Sequence, residues 1–502
     1  MAGVSGVGRA DNELSRLEPV TLSKRAVAVG LDVGTGGARA LAMGCDGHIV
    51  ASGRCRYPAE ALHVDGPCVE QDPRAWTAAS RTALRELARE LPSDCEIIGV
   101  AVDATSGTFV LVDDEHRPLT RGVMYNDQRA VEEAREVAES LQDVLHPYGV
   151  AIAPTFALPK IVHLARHRAD CFERCSRVLH QTDWLVAMLT GRDDVTDIST
   201  ALKTGADPGR LDWPDEIEAL GIPRDKLPEI VVPGTRIGKV SESAAELTGL
   251  PVGTPVMAGC SDGTAGFLAS GAAQIGDLNV TLGSTLVFKA ISDTPLVDPA
   301  GAVYNHRHPS GGYLPGASSS AGAEWIEKHH ENVDLDELGH AARVHIPASL
   351  VAYPLVKTGE RFPFVCPDAT GFGLDEIADP VERFAVGMEG IAFLERLGIE
   401  RLEELGLQVN RTVYATGGGA ASDTWLAIRA AVNRRTYTVP QYPECAVGAA
   451  VLAATPYFGD CETAVKTLVR SGRYVEFDAD LADGYEHGFE RFRAALRDRG
   501  YL

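Results

Sequence analysis

The sequence predicts an α/β protein built from two similar halves. Short apolar strand patterns alternate with helical patterns along most of the chain, which is typical of sheets covered by helices. A faint internal repeat is the second observation: LDVGTGGARAL at 31–41 resembles TLGSTLVFKA at 281–290, and in both a strand reaches a glycine, then Thr or Ser, and reverses. Two copies of one fold that face each other across a cleft would explain the repeat. At 502 residues, the chain is long enough for two large domains or about three ordinary ones.

Composition and charge exclude several classes of protein. Hydrophobic residues make up 45% of the chain and charged residues 23%, which is ordinary for a folded protein and excludes wholesale disorder. The 70 acidic and 47 basic residues give a formal charge of −23, which disfavours nucleic acid or membrane as the main partner. Backbone dipoles and a metal ion can still hold a phosphorylated small molecule against this field. The ten cysteines are scattered, and we find no membrane-span or signal-peptide pattern, so we expect a reduced, cytoplasmic protein.

The N-terminal half begins as a strand, a glycine turn and a second strand. The apolar run AVAVGL at 26–31 leads into DVGTGG, and an Asp-Gly pair stands at the next hairpin position. Asp72 and Pro73 then suit the N-cap and first position of a helix. IIGVAVD at 97–103 is the next predicted strand, and helical patterns dominate from about 130 to 192.

The C-terminal half repeats the strand and glycine-turn theme. PVMAG at 255–259 runs into CSDGTAG and a helix of small residues, and LNVTLGSTLVFKAIS at 278–292 is strand, glycine turn and strand. RTVYATGGGAASDTWLAIRAAV at 411–432 reads as strand, glycine turn and helix. ECAVGAAVLAA at 444–454 is a helix of small residues that we expect to pack closely against its neighbours.

Two glycine hairpins are candidates for binding phosphates. In 34–37, Gly-Thr-Gly-Gly, several backbone N–H groups can point at one spot, and the preceding Asp32 could hold Mg²⁺. A plain hairpin with a solvated Asp is the alternative. Gly283-Ser284-Thr285 is a second turn of this kind, and two such turns could clamp the β- and γ-phosphates of a nucleotide from opposite domains. The sequence has no Walker motif.

A third glycine turn, at 417–420, lies between a strand and a helix. This placement suits the approach of a nucleotide to a helix N-terminus. The turn lacks the spacing of a dinucleotide-binding fold, which is therefore disfavoured. Trp425 on the following helix could pack on an adenine face or lie in the core.

Several polar residues in predicted turns could carry chemistry. Asp262 directly follows a strand and is placed to accept a hydroxyl proton during phosphoryl transfer, with a simple Asp-Gly turn as the alternative. Asp103 could be an acid that orients a ligand or an Asx-type turn former, and here the structural role is favoured. Ser106 could bond a sugar or satisfy turn backbone. His306 and His308 have no metal-ligand partner at suitable spacing, so we expect surface or turn residues.

The order of these motifs resembles that of the FGGY carbohydrate kinases. The resemblance covers roughly residues 26–490 and rests on DVGTGGARA, EQDPRAW, DATSGT, YNDQRA, TDWLVAMLTG, DISTALKTG, VPGTRIGKV, AGCSDGTAGFLASG, TLGST, ATGGGAASDTW and ECAVGAA. It implies two actin-like domains of the ribonuclease H type that close around ATP, Mg²⁺ and a sugar. It also implies transfer of a phosphoryl group to an alcohol.

The resemblance implies roles for individual residues. Asp262 would be the catalytic base, and Asp32 would lie near the γ-phosphate and hold Mg²⁺ through water. Sugar contacts would come from Asp32, Ser106 and Asp262. The nucleotide contacts would come from Gly34, Thr35, Gly283, Ser284, Thr285, Gly418, Gly419, Ser422 and Trp425.

The resemblance favours D-ribulose as the sugar. Xylulose kinases of the family usually carry Gln-Met-His-Gly where this chain has Ala-Thr-Ser-Gly at 104–107, and the Arg-Glu pair of glycerol kinases is absent. DATSGT, TLGSTLVFKA, VYNH and YPLVKTGERFP are more similar to the family's D-ribulose kinases of cyanobacteria and plants. We therefore predict phosphorylation of the terminal 5-hydroxyl of D-ribulose. D-xylulose or another pentulose or pentitol is the alternative substrate, and a sugar-responsive actin-like binding protein is the alternative function.

The element order and the resemblance together divide the chain into four segments. The predicted segments are a mobile leader at 1–25, an actin-like domain on the sugar side at 26–270, an actin-like domain on the nucleotide side at 271–456, and a helical tail at 457–502 that packs on the domains. The predicted partners are a small sugar and ATP, and the predicted assembly is a monomer or a homodimer.

Overall fold

The computed structural model of the protein describes residues 25–331 and 333–502. The predicted leader therefore lies outside the described residues, apart from Arg25. The strands are β1 Arg25–Val33, β2 Gly37–Gly44, β3 Ile49–Arg56, β4 Leu62–Asp65, β5 Cys68–Gln71, β6 Cys95–Ala104, β7 Phe109–Val112, β8 Gly122–Val123, β9 Arg177–His180, β10 Val195–Asp197, β11 Glu229–Val231, β12 Arg236–Lys239, β13 Pro255–Met257, β14 Cys260–Ser261, β15 Leu278–Leu282, β16 Leu286–Ala290, β17 Tyr304–Arg307, β18 Tyr313–Ser318, β19 Thr412–Thr416, β20 Thr436–Pro440 and β21 Ser471–Val475.

Helices cover the sheets and separate their strands along the chain. They are α1 Pro73–Glu90, α2 Val131–Ser140, α3 Gln142–Leu145, α4 Ala157–His167, α5 Ala169–Arg174, α6 Gln181–Thr190, α7 Ile198–Ala201, α8 Glu216–Ala219, α9 Glu242–Thr248, α10 Asp262–Leu268, α11 Glu324–His329, α12 Leu335–Ala341, α13 Pro380–Glu404, α14 Asp423–Asn433, α15 Cys445–Phe458, α16 Cys461–Leu468 and α17 Ala479–Arg497. Asp72 caps α1 as predicted, because its carboxylate accepts the Arg74 N–H at 2.9 Å.

The N-terminal sheet has β1 at its centre. Its strand order is β12-β13-β6-β1-β2-β3, with β14 also paired to β6. β1 runs antiparallel to β2 and parallel to β6, and the register sets Asp32 opposite Asp103. β14 is parallel to β6 with Cys260 opposite Asp103. Because β1, β6 and β14 point the same way, their carboxyl ends meet at one edge of the sheet.

The C-terminal sheet repeats this arrangement. Its order is β17-β18-β16-β15-β19-β20-β21, in which β15 is antiparallel to β16 and parallel to β19. The pair β15 and β16 thus corresponds to β1 and β2, and β19 corresponds to β6. The internal repeat seen in the sequence is a pair of glycine-turn hairpins, each beside a parallel strand.

Helix α15 comes from the C-terminal part of the chain but packs on the N-terminal sheet. It lies against β1 and β6, and its buried residues are nearly all Ala, Val, Gly or Leu. A Cβ added to Gly30 of β1 would lie 1.9 Å from the Ala446 carbonyl oxygen. Small residues on both elements therefore allow a close approach of helix and strand.

The remaining elements extend the two halves. A smaller sheet of order β4-β5-β8-β7-β9 packs with α2 and α4 around Phe109, Val137 and Ile161. The segment after residue 457 is not wholly helical, because β21 pairs with β20 at the edge of the C-terminal sheet.

All ten cysteines are unpaired. In the part of the chain that the structure describes, no helix is both long enough and apolar enough to cross a bilayer.

Candidate active site

Three carboxylates meet at the edge where β1, β6 and β14 end. Asp32 is the penultimate residue of β1, Asp103 that of β6, and Asp262 directly follows β14 as the first residue of α10. The side chain of Asp32 is 13% exposed, and its Oδ2 lies 3.8 Å from Nη1 of Arg39. The two aspartates that the sequence predicts as site residues are therefore brought together, and Asp103 joins them.

Asp103 differs from the other two because it is fully buried. Neither of its carboxylate oxygens accepts a hydrogen bond from another described residue. Burial, together with the negative charges of Asp32 and Asp262, raises the pKa of Asp103 well above its ordinary value. A proton on Asp103 relieves the repulsion and makes this carboxyl a donor toward Asp32. The sequence favoured a turn-forming role for Asp103, and the structure places it inside the acidic cluster instead.

Asp262 is held by backbone N–H groups from the first turn of α10 and from the loop at Ser106. The Gly263 N–H donates to its Oδ1 at 2.7 Å. Burial raises the pKa of Asp262 above its ordinary value, and the N–H groups of Gly263 and Ser106 and the charges of Lys203 and Lys289 oppose this shift. A carboxylate of raised pKa that is fixed by backbone donors is suited to take up a proton during a reaction.

Two lysines beside Asp262 were missed by the sequence analysis. Lys203 donates to the Ser106 carbonyl at 3.1 Å, and Lys289 of β16 crosses from the other half of the molecule to donate to the Gly263 carbonyl at 2.9 Å. Burial lowers the pKa of Lys289 to about 8. A single lysine within the apolar strand sequence LVFKA was the available signal, because a charged residue in such a strand commonly has a specific partner.

Ser106 is a residue for which the sequence analysis predicted a sugar contact. Its side chain is buried, and its Oγ has no hydrogen-bond partner among the described residues. A buried hydroxyl without a partner is costly unless a ligand or water satisfies it. This geometry is compatible with a sugar hydroxyl as the missing partner.

The first glycine turn, at 34–37, opens onto solvent. It lines a cleft of about 700 Å³ together with Asp32 and Arg39. A Cβ added to Gly34 would meet no atom within 4 Å, and Thr35 is exposed. The Thr35 carbonyl accepts the Gln71 side-chain amide at 2.8 Å, which ties the turn to the EQDPRAW segment. The turn therefore keeps its shape while leaving free space beside the backbone.

The second glycine turn, at 283–285, closes the β15–β16 hairpin of the other half. The Gly283 N–H donates to the Thr285 carbonyl at 3.0 Å, and the Gly283 carbonyl accepts the Ala323 N–H at 2.7 Å. Ser284 at the tip is exposed. Among the described residues, no hydrogen bond joins the first turn to the second, so the two hairpins remain separate features of their two domains.

The third glycine turn separates β19 from α14. Gly417 has a φ of +82°, and Gly418 is exposed. A Cβ on Gly419 would lie 2.3 Å from Cδ2 of Leu282, so this glycine allows the turn to pack against the end of β15. Ser422 caps α14 by accepting the Trp425 N–H at 3.2 Å.

Trp425 lies in the core of the C-terminal half. It is 2% exposed, and its indole N–H donates to the Met388 carbonyl at 3.0 Å. Its ring centroid is 6.3 Å from that of Trp325. Of the two roles left open by the sequence, the structure favours the core, because no face of the indole is free for an adenine.

His306 and His308 were expected to be surface or turn residues; neither is at the surface, although His308 begins the turn between β17 and β18. Both side chains are buried, at 4% and 2% exposure. Burial lowers the pKa of His308 to about 4, and burial with the charges of Lys289 and Lys203 holds the pKa of His306 well below its ordinary range. Both imidazoles are therefore neutral at pH 7 and belong to the packed region between the halves.

The donor set of the acidic cluster fits a magnesium ion. Mg²⁺ prefers carboxylate oxygens together with water and phosphate oxygens. Asp32 faces the cleft and is the carboxylate best placed to hold such an ion through water, as the resemblance implied. Asp103 is fully buried and its raised pKa favours the protonated form, so we assign it as a supporting group for Asp32 and not as a ligand.

Comparisons with known proteins agree with this geometry. The N-terminal domain of the FGGY family of carbohydrate kinases matches residues 27–269, and the C-terminal domain of the same family matches residues 278–457. This chain belongs to the FGGY family of carbohydrate kinases. It is therefore a phosphotransferase with an alcohol group as acceptor, of a family that uses ATP. The predicted family and the predicted two-domain α/β fold are confirmed.

The relatives of this FGGY kinase are named for D-xylulose rather than D-ribulose. The xylulose kinase of Bacillus subtilis (strain 168) is 25% identical over 481 residues, which is 93% of this chain and 95% of the relative. The xylulose kinase of Escherichia coli (strain K12) is 28% identical over 418 residues, or 81% of this chain and 84% of the relative. The xylulose kinase structure from Rhodospirillum rubrum has a TM-score of 0.82 at 26% identity and covers 94% of this chain and 98% of that one. These names do not support the expected likeness to D-ribulose kinases.

Proposed function

We propose that this protein transfers the γ-phosphoryl group of ATP to the terminal 5-hydroxyl of a ketopentose. The observation that supports this most is Asp262, which stands beside Asp32 at the edge of the N-terminal sheet in a chain of the FGGY family. The buried Ser106 hydroxyl without a partner lies in the loop whose N–H and carbonyl groups face Asp262 and Lys203. A polyhydroxylated substrate would satisfy these groups.

The proposed mechanism assigns proton transfer to one side chain. Asp262 orients the attacking hydroxyl and takes its proton, while the Gly263 N–H keeps the carboxylate in place. Asp32 would bear the second negative charge of the site, with a proton held on its buried neighbour Asp103, whose pKa is raised further. Magnesium, when bound, neutralises charge on the phosphates. The loose transition state of phosphoryl transfer demands positioning and charge compensation more than covalent chemistry.

The remaining roles are proposed on the same basis. Backbone N–H groups of the two exposed turns, which carry Gly34, Thr35, Gly283, Ser284 and Thr285, would bind the phosphates. Gly418 would line the nucleotide pocket, with Gly419 and Ser422 maintaining the turn. We also propose the predicted domain division near residues 270 and 456, a cytoplasmic location, and a monomeric or homodimeric state.

The first candidate sugar is D-xylulose, because the curated relatives named above are xylulose kinases. D-ribulose is the second candidate, and a specific observation favours it. The segment at 104–107 has Thr-Ser where xylulose kinases usually carry Met-His, and Ser106 lies at the site. The two sugars differ in configuration at one carbon. A serine hydroxyl in place of an imidazole would therefore change which of the two epimers finds hydrogen-bond partners in the site.

A coupled assay of ADP release tests the proposal. Wild-type protein is given ATP, Mg²⁺ and in turn D-xylulose, D-ribulose, L-ribulose, ribitol or glycerol. We expect ADP release with one of the first two sugars, and the ratio of kcat/KM between them decides the epimer. No sugar-dependent release with any of the five would contradict the proposed substrate class.

A matched pair of variants tests the role of the base. We expect Asp262→Asn to lose about 10²- to 10⁴-fold in kcat, since a positioned general base contributes about that much. Binding of ADP, measured by calorimetry, should stay nearly unchanged. The control is Asp293→Asn, an exposed residue outside the cluster, which should leave kcat unaltered. Unchanged turnover in Asp262→Asn would remove this carboxylate from the mechanism.

A further inference from the structure

A second cluster of ligating side chains lies away from the active site, where helices α2 and α4 pack together. His163 and His167 stand one turn apart on α4 and face Glu133 of α2. Nδ1 of His163 lies 2.9 Å and Nε2 of His167 lies 3.5 Å from Oε1 of Glu133. The imidazole centroids are 4.4 Å apart. One ligand atom from each side chain can therefore be chosen so that all three lie within 4.8 Å of one another.

The cation that lies between the two histidines on α4 is already paired with another carboxylate. Arg166, also on α4, is occupied by a bidentate contact with Glu136 at 2.6 and 2.7 Å. The Glu133 carboxylate is negative, because its own backbone N–H and the two imidazoles hold its pKa below the ordinary value despite burial. Two imidazoles beside one carboxylate form a donor set that can bind a divalent cation.

We propose that Glu133, His163 and His167 form a binding site for a divalent transition-metal ion, with Zn²⁺ as the ion of best fit. Two imidazoles and one carboxylate are a ligand set that zinc takes in proteins, with bonds of about 2.0–2.2 Å. Tetrahedral bonds of that length put neighbouring ligand atoms roughly 3.3 Å apart. The 2.9 and 3.5 Å separations bracket this value, so small side-chain rotations suffice.

The exposure of the three side chains matches a site with one open position. Glu133 is 8% exposed, His163 25% and His167 61%. Both imidazoles line a surface cavity of about 630 Å³, which has room for water as the fourth ligand. Four arginines also line this cavity, Arg74, Arg121, Arg129 and Arg168, so the three ligands must hold the ion against nearby positive charge. The triad at this α2–α4 contact shares no residue with the acidic cluster, so the proposal is independent of the sugar and of the kinase mechanism.

Metal binding would join α2 to α4 and stabilise the sugar-side part of the fold. Helix α4 also carries Lys160, whose buried ammonium group donates to the carbonyls of Gly107 at 3.0 Å and Met124 at 2.7 Å. These carbonyls belong to loops beside Ser106 and Tyr125. An ion that fixes α4 therefore supports the helix on which these loop contacts depend.

Zinc titration of the full-length, chelator-treated protein tests the proposal. We expect wild type to take up one equivalent of Zn²⁺ in competition with a chromophoric chelator. His167→Ala should bind this ion at least about tenfold more weakly, because losing even a residue that only supports a metal ligand costs about 10–100-fold in affinity. His167 is the most exposed ligand, so this variant should fold. The matched control is His146→Ala, an exposed histidine of the same domain, which should bind like wild type. Excess Zn²⁺ should raise the Tm of wild type and His146→Ala and leave His167→Ala unchanged.

Cobalt spectroscopy separates this site from the ten free thiols. Co²⁺ bound by nitrogen and oxygen gives visible d–d bands without a thiolate charge-transfer band, and we expect His167→Ala and Glu133→Gln to lose these bands. Equal Zn²⁺ uptake by wild type and His167→Ala, or no uptake by either, would show that the triad is an ion pair between helices and would overturn the proposal.

Discussion

At the residue scale, Asp103 shows how register controls protonation. Its position opposite Asp32 on a parallel strand brings two carboxyl groups together inside the protein, and Asp262 adds a third. Three negative charges at this spacing would repel strongly where water is excluded. The raised pKa of Asp103 is therefore a consequence of the fold, and it creates a dependence of stability on pH.

The Asp103→Asn variant tests this protonation. The folded-state pKa lies above the unfolded one, so the folded protein keeps a proton that the unfolded chain loses. Stability from this group therefore falls as the pH rises from about 4 toward the folded pKa. An asparagine has no such proton, so we expect the Tm of the variant to exceed that of wild type by a margin that grows between about pH 5 and pH 8. A margin that stays constant over this range would show that Asp103 is ionised in the folded protein.

Lys289 is the charged group that the C-terminal half contributes beside Asp262. We expect Lys289→Met to lower kcat/KM for the sugar about tenfold to 100-fold, in line with the loss of a hydrogen bond to a charged group. Because burial lowers the pKa of Lys289 to about 8, wild-type activity should fall above that pH as the ammonium group loses its proton.

The pH profile distinguishes this role from a structural one. The fall above about pH 8 should be absent from Lys289→Met and should move to higher pH in Lys289→Arg, because a guanidinium keeps its charge. Lys239→Met, at an exposed position of β12, is the control. Identical profiles for wild type and Lys289→Met would contradict a role for this ammonium group.

At the element scale, helix α15 links the two halves by packing on β1 and β6. Two glycines make the contacts of α15 close: Gly30 of β1 faces the Ala446 carbonyl, and Gly448 of α15 approaches helix α10, where its Cβ would lie 1.9 Å from the Ala265 carbonyl oxygen. Neither backbone can retreat without disturbing the sheet beneath the acidic cluster.

The Gly30→Ala variant tests this contact. The added methyl group would overlap backbone atoms of α15, so we expect a loss of about 1–3 kcal/mol in the free energy of unfolding and a lower Tm. Gly34→Ala, four residues along the same motif, is the matched control for stability, because its Cβ meets no atom within 4 Å. Equal Tm values for Gly30→Ala and Gly34→Ala would show that α15 can move away from β1 at little cost.

At the scale of the whole molecule, the proposed reaction site lies at an edge of the N-terminal sheet, and Lys289 of the C-terminal sheet reaches it. Hydrogen bonds from Lys289 to Gly263 and from Asn305 to the Tyr148 carbonyl, at 2.9 and 3.0 Å, join the halves near Asp262. The two halves need few direct polar contacts with each other if bound substrates contact both of them. Closure around both substrates would exclude water and limit wasteful hydrolysis of ATP.

Small-angle X-ray scattering tests closure. We expect the radius of gyration to fall when a non-hydrolysable ATP analogue and the ketopentose are added together, because both halves then share contacts with the ligands. The sugar alone should change it less, since it would contact mainly the N-terminal half. A radius that is the same with and without both ligands would indicate that the cleft is already closed in solution.

Local patterns in the sequence predicted much of the fold and part of the site. The alternation of strands and helices, the cap at Asp72 and the glycine turns depend on neighbouring residues, so they can be recognised without a structure. Asp32 and Asp262 were also found, because an acid at the end of an apolar strand is a local signal. The internal repeat extended this to the whole molecule by indicating two similar halves.

The sequence by itself determined the fold class, the hairpin turns and the two cleft-facing aspartates, because each is encoded within about ten consecutive residues. The tertiary structure alone decided that Asp103 is buried beside two other carboxylates, that Lys289 reaches the backbone next to Asp262 from the other half, and that Trp425 is core. It also brought Glu133 to the two histidines of α4. The physical reason is that burial, charge repulsion and ligand geometry arise between residues far apart in the chain, and only strand register and helix packing set those distances.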